Sequence, residues 1–255
     1  DSVWESRAYF RWQSNEHSAN RWSVKGLVYK SVYGKTEEYD ADYAKLGIRK
    51  YVSMSNGYWY IGADVDGSRL GNDGYLKNFS GEIGMVKRFA TSSHWSWKYR
   101  YRDVDSLSAE YEPFSGDNQL LMLSIGQNLS INSDWEMYYK FSDDDRQDSE
   151  QVFEFRSFSP ASHSVGANWN YTLRDWRFGV HFDYRDSDYQ KTNVYFGFLR
   201  TLREDQRLNV RVNTDWQLTK AWAVSAEYGY TDNQSSIETY DYHQQLIKLG
   251  FSWEY

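Results

Sequence analysis

Apolar and polar side chains alternate along this chain with a period of two residues, almost from one end to the other. In the segment 4–12, Trp4, Ala8, Phe10 and Trp12 fall on one side, and Glu5, Arg7, Tyr9 and Arg11 on the other. Segment 94–102 sets Trp95, Trp97, Tyr99 and Tyr101 against Lys98, Arg100 and Arg102. Segment 176–185 sets Phe178, Val180, Phe182 and Tyr184 against Arg177, His181, Asp183 and Arg185, and 207–216 alternates likewise. Successive residues of a β-strand point to opposite faces, so each segment is a strand with one greasy and one wet face.

The apolar face is built from rings rather than aliphatics. Phe, Trp and Tyr make up 19% of the chain, with 12 Trp and 23 Tyr. A soluble β-sandwich or soluble barrel would pack such faces against each other and has little use for so many. A membrane-spanning barrel has a use for all of them, since one face meets lipid and the rings form girdles at both interfaces. No run approaches the ~20 apolar residues of a transmembrane helix. The 2 prolines suit long uninterrupted ladders. With no cysteine, disulfides, thiolate metal sites and cysteine nucleophiles are excluded.

Strands are expected near 3–14, 20–32, 41–53, 57–66, 75–90, 93–104, 117–129, 133–146, 150–158, 162–172, 176–187, 191–202, 206–217, 221–232 and 240–255. Bacterial single-chain barrels have an even count, and 150–158 reads as part of a loop or of a bent strand. The expectation is an all-β, transmembrane, antiparallel up-and-down β-barrel of about 14 strands, with 12 or 16 as alternatives. Asn56-Gly57, Asn72-Asp73-Gly74, Asn132-Ser133-Asp134 and Asp143-Asp144-Asp145 separate the strands as turns. No linker or compositional break interrupts the pattern, so residues 1–255 form one barrel domain in the bacterial outer membrane. Asp1 fits either signal-peptide cleavage or a cut below an upstream periplasmic domain.

Placing the rings outward assigns the other face to the lumen. The basic residues there are Arg7, Arg11, Arg21, Lys25, Lys45, Arg49, Arg88, Lys98, Arg100, Arg102, Lys140, Arg156, Arg177, Arg185, Arg207, Arg211 and Lys248. They outnumber the acids Glu5, Asp64, Glu82, Glu136, Glu154, Asp183, Asp215, Glu227 and Glu254. The chain's net charge is −7, so the turns and ends are acidic. A low-dielectric wall lined with one sign of charge concentrates the opposite ion, and Arg grips carboxylate or sulfate bidentately. The expected solute is anionic and saccharide-like, uronate-bearing or sialylated. The competing reading has these cations pair with lumenal acids and tyrosines inside a plugged structural barrel. Lumenal Tyr9, Tyr29, Tyr43, Tyr58, Tyr60 and Tyr138 are either a stacking slide for sugar rings or cross-barrel spacers.

Catalytic signals are thin, and the expectation is no enzyme. His181 and Asp183 share a face, but no nucleophilic Ser lies in register. The acidic run 143–150 lacks the spacing and central Gly of a calcium loop. No metal, cofactor or nucleic acid is expected.

The final strand, from Tyr240 to Tyr255, carries Ile247, Leu249, Phe251, Trp253 and Tyr255 on one face. It resembles the closing strand of outer-membrane proteins, whose aromatic end is read by the barrel assembly machinery. Arg203-Glu204-Asp205, the run Glu227 to Ser236 and Tyr240-Asp241-Tyr242 together resemble the C-terminal barrels of surface lipoprotein assembly modifiers, which follow tetratricopeptide repeats. That resemblance covers the last quarter and implies a 14-stranded barrel that moves a lipoprotein or polymer to the surface. The size and Arg-rich lumen resemble small oligosaccharide-specific porins. The expected function is a channel for a polar, anionic solute. A translocation factor and a closed structural or adhesion barrel are the alternatives. Expected partners are the bilayer, lipopolysaccharide and the assembly machinery.

Overall fold

The computed structural model describes residues 3–14, 20–34, 40–71, 73–151, 154–195, 199–219 and 221–253. The chain runs β1 (Val3–Gln13), β2 (Asn20–Tyr33), β3 (Ala41–Met54), β4 (Gly57–Leu70), β5 (Asp73–Arg88), β6 (Ser93–Ser106), β7 (Gly116–Ser130) and β8 (Ser133–Arg146). It continues through β9 (Ser149–Gln151), β10 (Glu154–Arg156), β11 (Pro160–Leu173), β12 (Trp176–Tyr189), β13 (Asn193–Tyr195) and β14 (Leu199–Thr201). It ends with β15 (Glu204–Gln217), β16 (Trp222–Ser235) and β17 (Tyr242–Trp253). Thirteen of these strands form one antiparallel sheet in strict chain order, β1 through β8, then β11, β12, β15, β16 and β17. This is the up-and-down architecture of a transmembrane barrel wall.

Two expected strands leave the ladder. Segments 150–158 and 191–202 break into the three-residue strands β9, β10, β13 and β14, which make a separate four-stranded sheet. The side chain of Asn193, buried, accepts a 2.8 Å hydrogen bond from the backbone N–H of Ser157 and ties the two segments together. β12 pairs directly with β15, so residues 190–203 cannot serve as a wall strand. The outer part of the long final expectation, 254–255, lies outside the described residues.

The register puts the apolar, tryptophan-bearing faces of the strands on one side of the sheet. Trp97 stands between Met85 and Leu123, and Trp176 beside Trp216. Along β12, Trp176, Phe178, Val180, Phe182 and Tyr184 face outward before Asp186 and Asp188 begin. At about 3.3 Å per residue that apolar stretch runs about 26 Å along the strand. Tilted as barrel strands are, it matches the height of a lipid-facing band. No helix among the described residues is long and apolar enough to cross a membrane.

The two ends of the sheet differ. One end carries tight turns at Ser55-Asn56, Phe89–Ser92, Ile131-Asn132 and Arg174-Asp175, with Arg174 in the left-handed region at φ 53°. The other carries the long connections 107–115, 147–159, 190–203 and 236–241, two of which hold short 3-10 turns, at Ala109–Phe114 and Glu238–Tyr240. These differ as periplasmic turns and extracellular loops differ in outer-membrane barrels. Of the outward tryptophans, Trp12, Trp22, Trp59, Trp95, Trp97, Trp135, Trp169, Trp176, Trp216 and Trp222 lie within four residues of the tight-turn end, and Trp4 lies at the long-loop end of β1. Trp176 and Trp216 stack at 5.1 Å, and Trp59 meets Trp97 edge-on at 5.6 Å.

Candidate functional site

The face opposite the rings carries the ionisable side chains. Strand alternation places Arg7, Tyr9 and Arg11 on β1 there, Arg21 and Lys25 on β2, and Lys45 and Arg49 on β3. Tyr58 and Tyr60 follow on β4, and Lys98, Arg100 and Arg102 on β6. Arg177 and Arg185 on β12, and Arg207 and Arg211 on β15, complete the set. Arg156 does not join them, because it belongs to β10 in the small sheet. Asp66 does, though the sequence reading passed over it. It shares the alternation of Asp64 two residues before, a signal that was present in the sequence.

The charges fall into two groups of different chemistry. On β3 to β5, with Arg102 of β6, they pair with one another. Lys45 pairs with Asp64 and lies 4.0 Å from Asp66. Asp66, only 4% exposed, accepts a 2.6 Å hydrogen bond from the Asn78 amide and sits 4.0 Å from Arg102. Ser80 donates to Asp64 at 2.8 Å. Arg49 pairs with Glu82, donates to the Tyr51 hydroxyl at 3.3 Å and lies over the Tyr60 ring at 4.6 Å. Arg21 covers the Tyr51 ring at 4.8 Å, while Tyr51, Tyr58 and Tyr60 pack together. Pairing offsets the desolvation of these charges, and each acid here has a cation within 4.0 Å, while Asp66 Oδ2 and Arg102 Nε have no hydrogen-bond partner. A cavity of about 360 Å³ opens over this wall, lined by Tyr9, Lys25, Lys45, Arg49, Asp64, Glu82 and Arg100 among others.

Across β6, β8, β12 and β15 the balance shifts. One continuous register row runs Lys98, Met122, Lys140, Ser164, Arg185, Arg207, each residue the direct partner of the next. Four of its six members are cations and none is an acid. Lys140 reaches Asp183 at 3.9 Å and lies 4.0 Å over the Tyr138 ring. Arg185 donates to Ser164 at 3.3 Å. Among the described residues, Lys98, Arg100, Arg207 and Arg211 make no ion pair within 4.0 Å, and the Nε atoms of Arg100 and Arg207 have no hydrogen-bond partner. This second wall therefore carries cations without an ion pair, and β1 and β2 add Arg7, Arg11, Arg21 and Lys25 to the positive charge of the inner face.

The groups weighed for catalysis bond elsewhere. His181 Nδ1 meets Asn168 at 2.6 Å, whereas Asp183 accepts a 2.7 Å hydrogen bond from the Tyr138 hydroxyl. His163 lies on the outward face, where its Nδ1 meets the Tyr139 hydroxyl at 2.6 Å. Among the described residues, no group of three or more His, Cys, Asp or Glu is placed to hold a metal ion. The acidic residues are divided unequally between the ends, with Asp134, Glu136, Asp175 and Asp215 near the tight turns. Asp103, Asp105, Asp117, Asp143, Asp145, Asp186 and Asp188 gather at the long-loop end, where Asp148 binds Lys191 at 2.7 Å.

No family model matches the chain, and no curated relative matches it. Two solved structures align over nearly all of both chains. One is the NanC porin, 10% identical, covering 98% of this chain and 99% of that one, with a TM-score of 0.45. The other is the β domain of the Bordetella autotransporter BrkA, 12% identical over 99% and 98%, with a TM-score of 0.36. Likenesses this loose leave the assignment to the geometry above.

Proposed function

We propose that the protein is a bacterial outer-membrane channel whose lumen favours anionic, saccharide-like solutes, such as those carrying uronate, sialate or sulfate groups. The observation that carries this reading is the row Lys98, Lys140, Arg185, Arg207, with Arg100 and Arg211 beside it. A purely structural plug would pair its cations, as Lys45, Arg49 and Arg102 are paired. Leaving desolvated guanidinium and ammonium groups unpaired costs stability, and a passing anion supplies the missing partner. Arg forks a carboxylate or sulfate in two parallel hydrogen bonds. Spacing the cations along a row lets the solute exchange partners, which keeps binding weak enough for release. Tyr9, Tyr58 and Tyr60 offer faces to sugar rings on the paired wall.

Reversal potentials across planar bilayers under a salt gradient test the reading. Anion preference is expected, and it should shrink severalfold in the triple variant Lys98→Gln, Arg185→Gln, Arg207→Gln. Cation preference in the parent protein, or no conductance, overturns it.

A further inference from the structure

The sheet's two outer edges are both open, and they point the same way. β1 starts beside Tyr33, at the long-loop end, and runs to the tight-turn end. β17 ends beside Trp222, at the tight-turn end, so it runs in that direction too. No ladder joins them among the described residues. Both faces of both edges are bare. Trp4 and Phe10 on the outward side are 77% and 54% exposed, and the inward Tyr9 is 59% exposed. On β17, outward Ile247 and Leu249 are 74% and 81% exposed, and inward Leu246 is 39% exposed. The inward Tyr51 and Tyr138, inside the ladder, are 8% and 6% exposed.

A spanning sheet cannot keep this seam. Backbone N–H and C=O groups at a bare edge have no water partner in the hydrocarbon region, so open edges do not persist there. Direct closure would pair β1 and β17 in parallel, within a sheet whose every other ladder is antiparallel. A second copy fares no better. With both molecules in one membrane orientation, its edges run in the same direction, and each junction would again be parallel. One intervening strand, antiparallel to both edges, satisfies all of these groups and makes the total even.

We propose that the seam is filled by one further β-strand, of about a dozen residues, from the same polypeptide upstream of residue 1, running from the tight-turn end to the long-loop end. This rests on the membrane reading above. The direction selects an upstream segment, because its exit then lies at the long-loop end, where β1 begins. The start of that strand and the end of β17 then lie together on the tight-turn, periplasmic side. A strand following β17 would instead carry the chain out at the long-loop side, where β1 also starts. The chemistry of the strand follows from its neighbours. It carries apolar outward residues to continue Phe10 and Leu249, and polar or acidic inward residues facing Arg7 and Lys248.

Cysteine pairs in the full-length protein, in isolated outer membranes, test the proposal. Ala8→Cys is combined in turn with a cysteine at Gln245, Ile247, Leu249 or Phe251, folding being checked by heat-modifiable gel mobility. An intervening strand holds the edges about 10 Å apart, two interstrand spacings. No pair should then oxidise to a disulfide, while a bis-maleimide of about that span should bridge them. A direct disulfide overturns the proposal. A benzophenone side chain at position 8 then identifies the neighbour by mass spectrometry. Cross-links to a peptide preceding residue 1 are expected. Cross-links to another protein, to a heavy-isotope second copy, or to lipid alone overturn it. Conductance is read separately, so a pore with a directly bonded seam sinks only this inference.

Discussion

Tyr138 shows how a single residue couples the two chemistries of the inner face. Its ring lies across Gly166 of the neighbouring strand, and a Cβ built there would stand 2.3 Å from the ring's end. The missing side chain is what lets the hydroxyl reach Asp183, two strands away. Tyr138→Phe should cost about 1–3 kcal/mol, because buried Asp183 loses its best donor and keeps only Lys140 at 3.9 Å. Urea unfolding in detergent micelles reads that loss, and an unchanged midpoint would show that water replaces the phenol. Gly166→Val should be worse, since it expels the ring as well. At the long-loop end, the hydrogen bond to the Asp148 carboxylate raises the pKa of Lys191. A raised lysine pKa means the contact is fully present below the ordinary lysine value and is lost as pH climbs through the raised one. An environment-sensitive dye at Thr192→Cys should hold its emission through mildly alkaline pH and shift only beyond that point. Lys191→Met should abolish the transition.

The strand is the scale at which the chain was easiest to read. Period-two alternation put the rings of β6, β12 and β15 on one side and their Arg and Lys on the other, and the register keeps those faces aligned across thirteen strands. What alternation cannot supply is partnership. Segment 191–202 alternates well enough to look like a wall strand, yet its fate was decided by remote bonds, above all the buried Asn193 on Ser157. The division of the inner face was equally hidden. Lys45 and Lys98 look alike in sequence, but Lys45 stands near Asp64 and Asp66 while Lys98 faces Met122. The resemblance to lipoprotein assembly modifiers rests on short turn-and-strand motifs, and nothing in the ladder tests it further. A prediction at this scale concerns the tryptophans. Apart from Trp4, the outward tryptophans crowd the tight-turn ends of their strands and should sit at one bilayer interface, where indole rings settle with one side apolar and one wet. Lipids brominated near the headgroup should quench their fluorescence more than lipids brominated near the chain terminus. Stronger quenching by the deep bromines would mean that the band is placed wrongly.

For the whole molecule, the decisive property is that charge is distributed unequally along the pore axis. Cations occupy the inner face in the middle of the wall, whereas the acids, Asp103, Asp117, Asp145 and Asp186 among them, crowd the long-loop mouth. Three of these, Asp103, Asp117 and Asp145, are direct neighbours in one register row, an arrangement that repels itself unless counter-ions accumulate. These side chains share the alternation of the outward rings, so they collar the long-loop mouth from outside and act on an entering anion through their field, whereas the tight-turn mouth carries fewer acids, the inward Asp134, Glu136 and Asp215 among them. The barrier is thus asymmetric, and the pore should rectify: anion current should be larger when the field drives anions in through the tight-turn mouth. The effect depends on unscreened fields over a mouth many ångströms wide. It should be strong at 0.01 M salt, where the Debye length is about 30 Å, and nearly absent at 1 M, where it is about 3 Å. Channels inserted from one side of a planar bilayer give the current–voltage curve directly. Asp103→Asn with Asp117→Asn and Asp145→Asn should straighten it while leaving the anion preference of the inner row in place. A curve that is symmetric at low salt in the parent protein would mean that the field of the acidic collar does not reach the ion path.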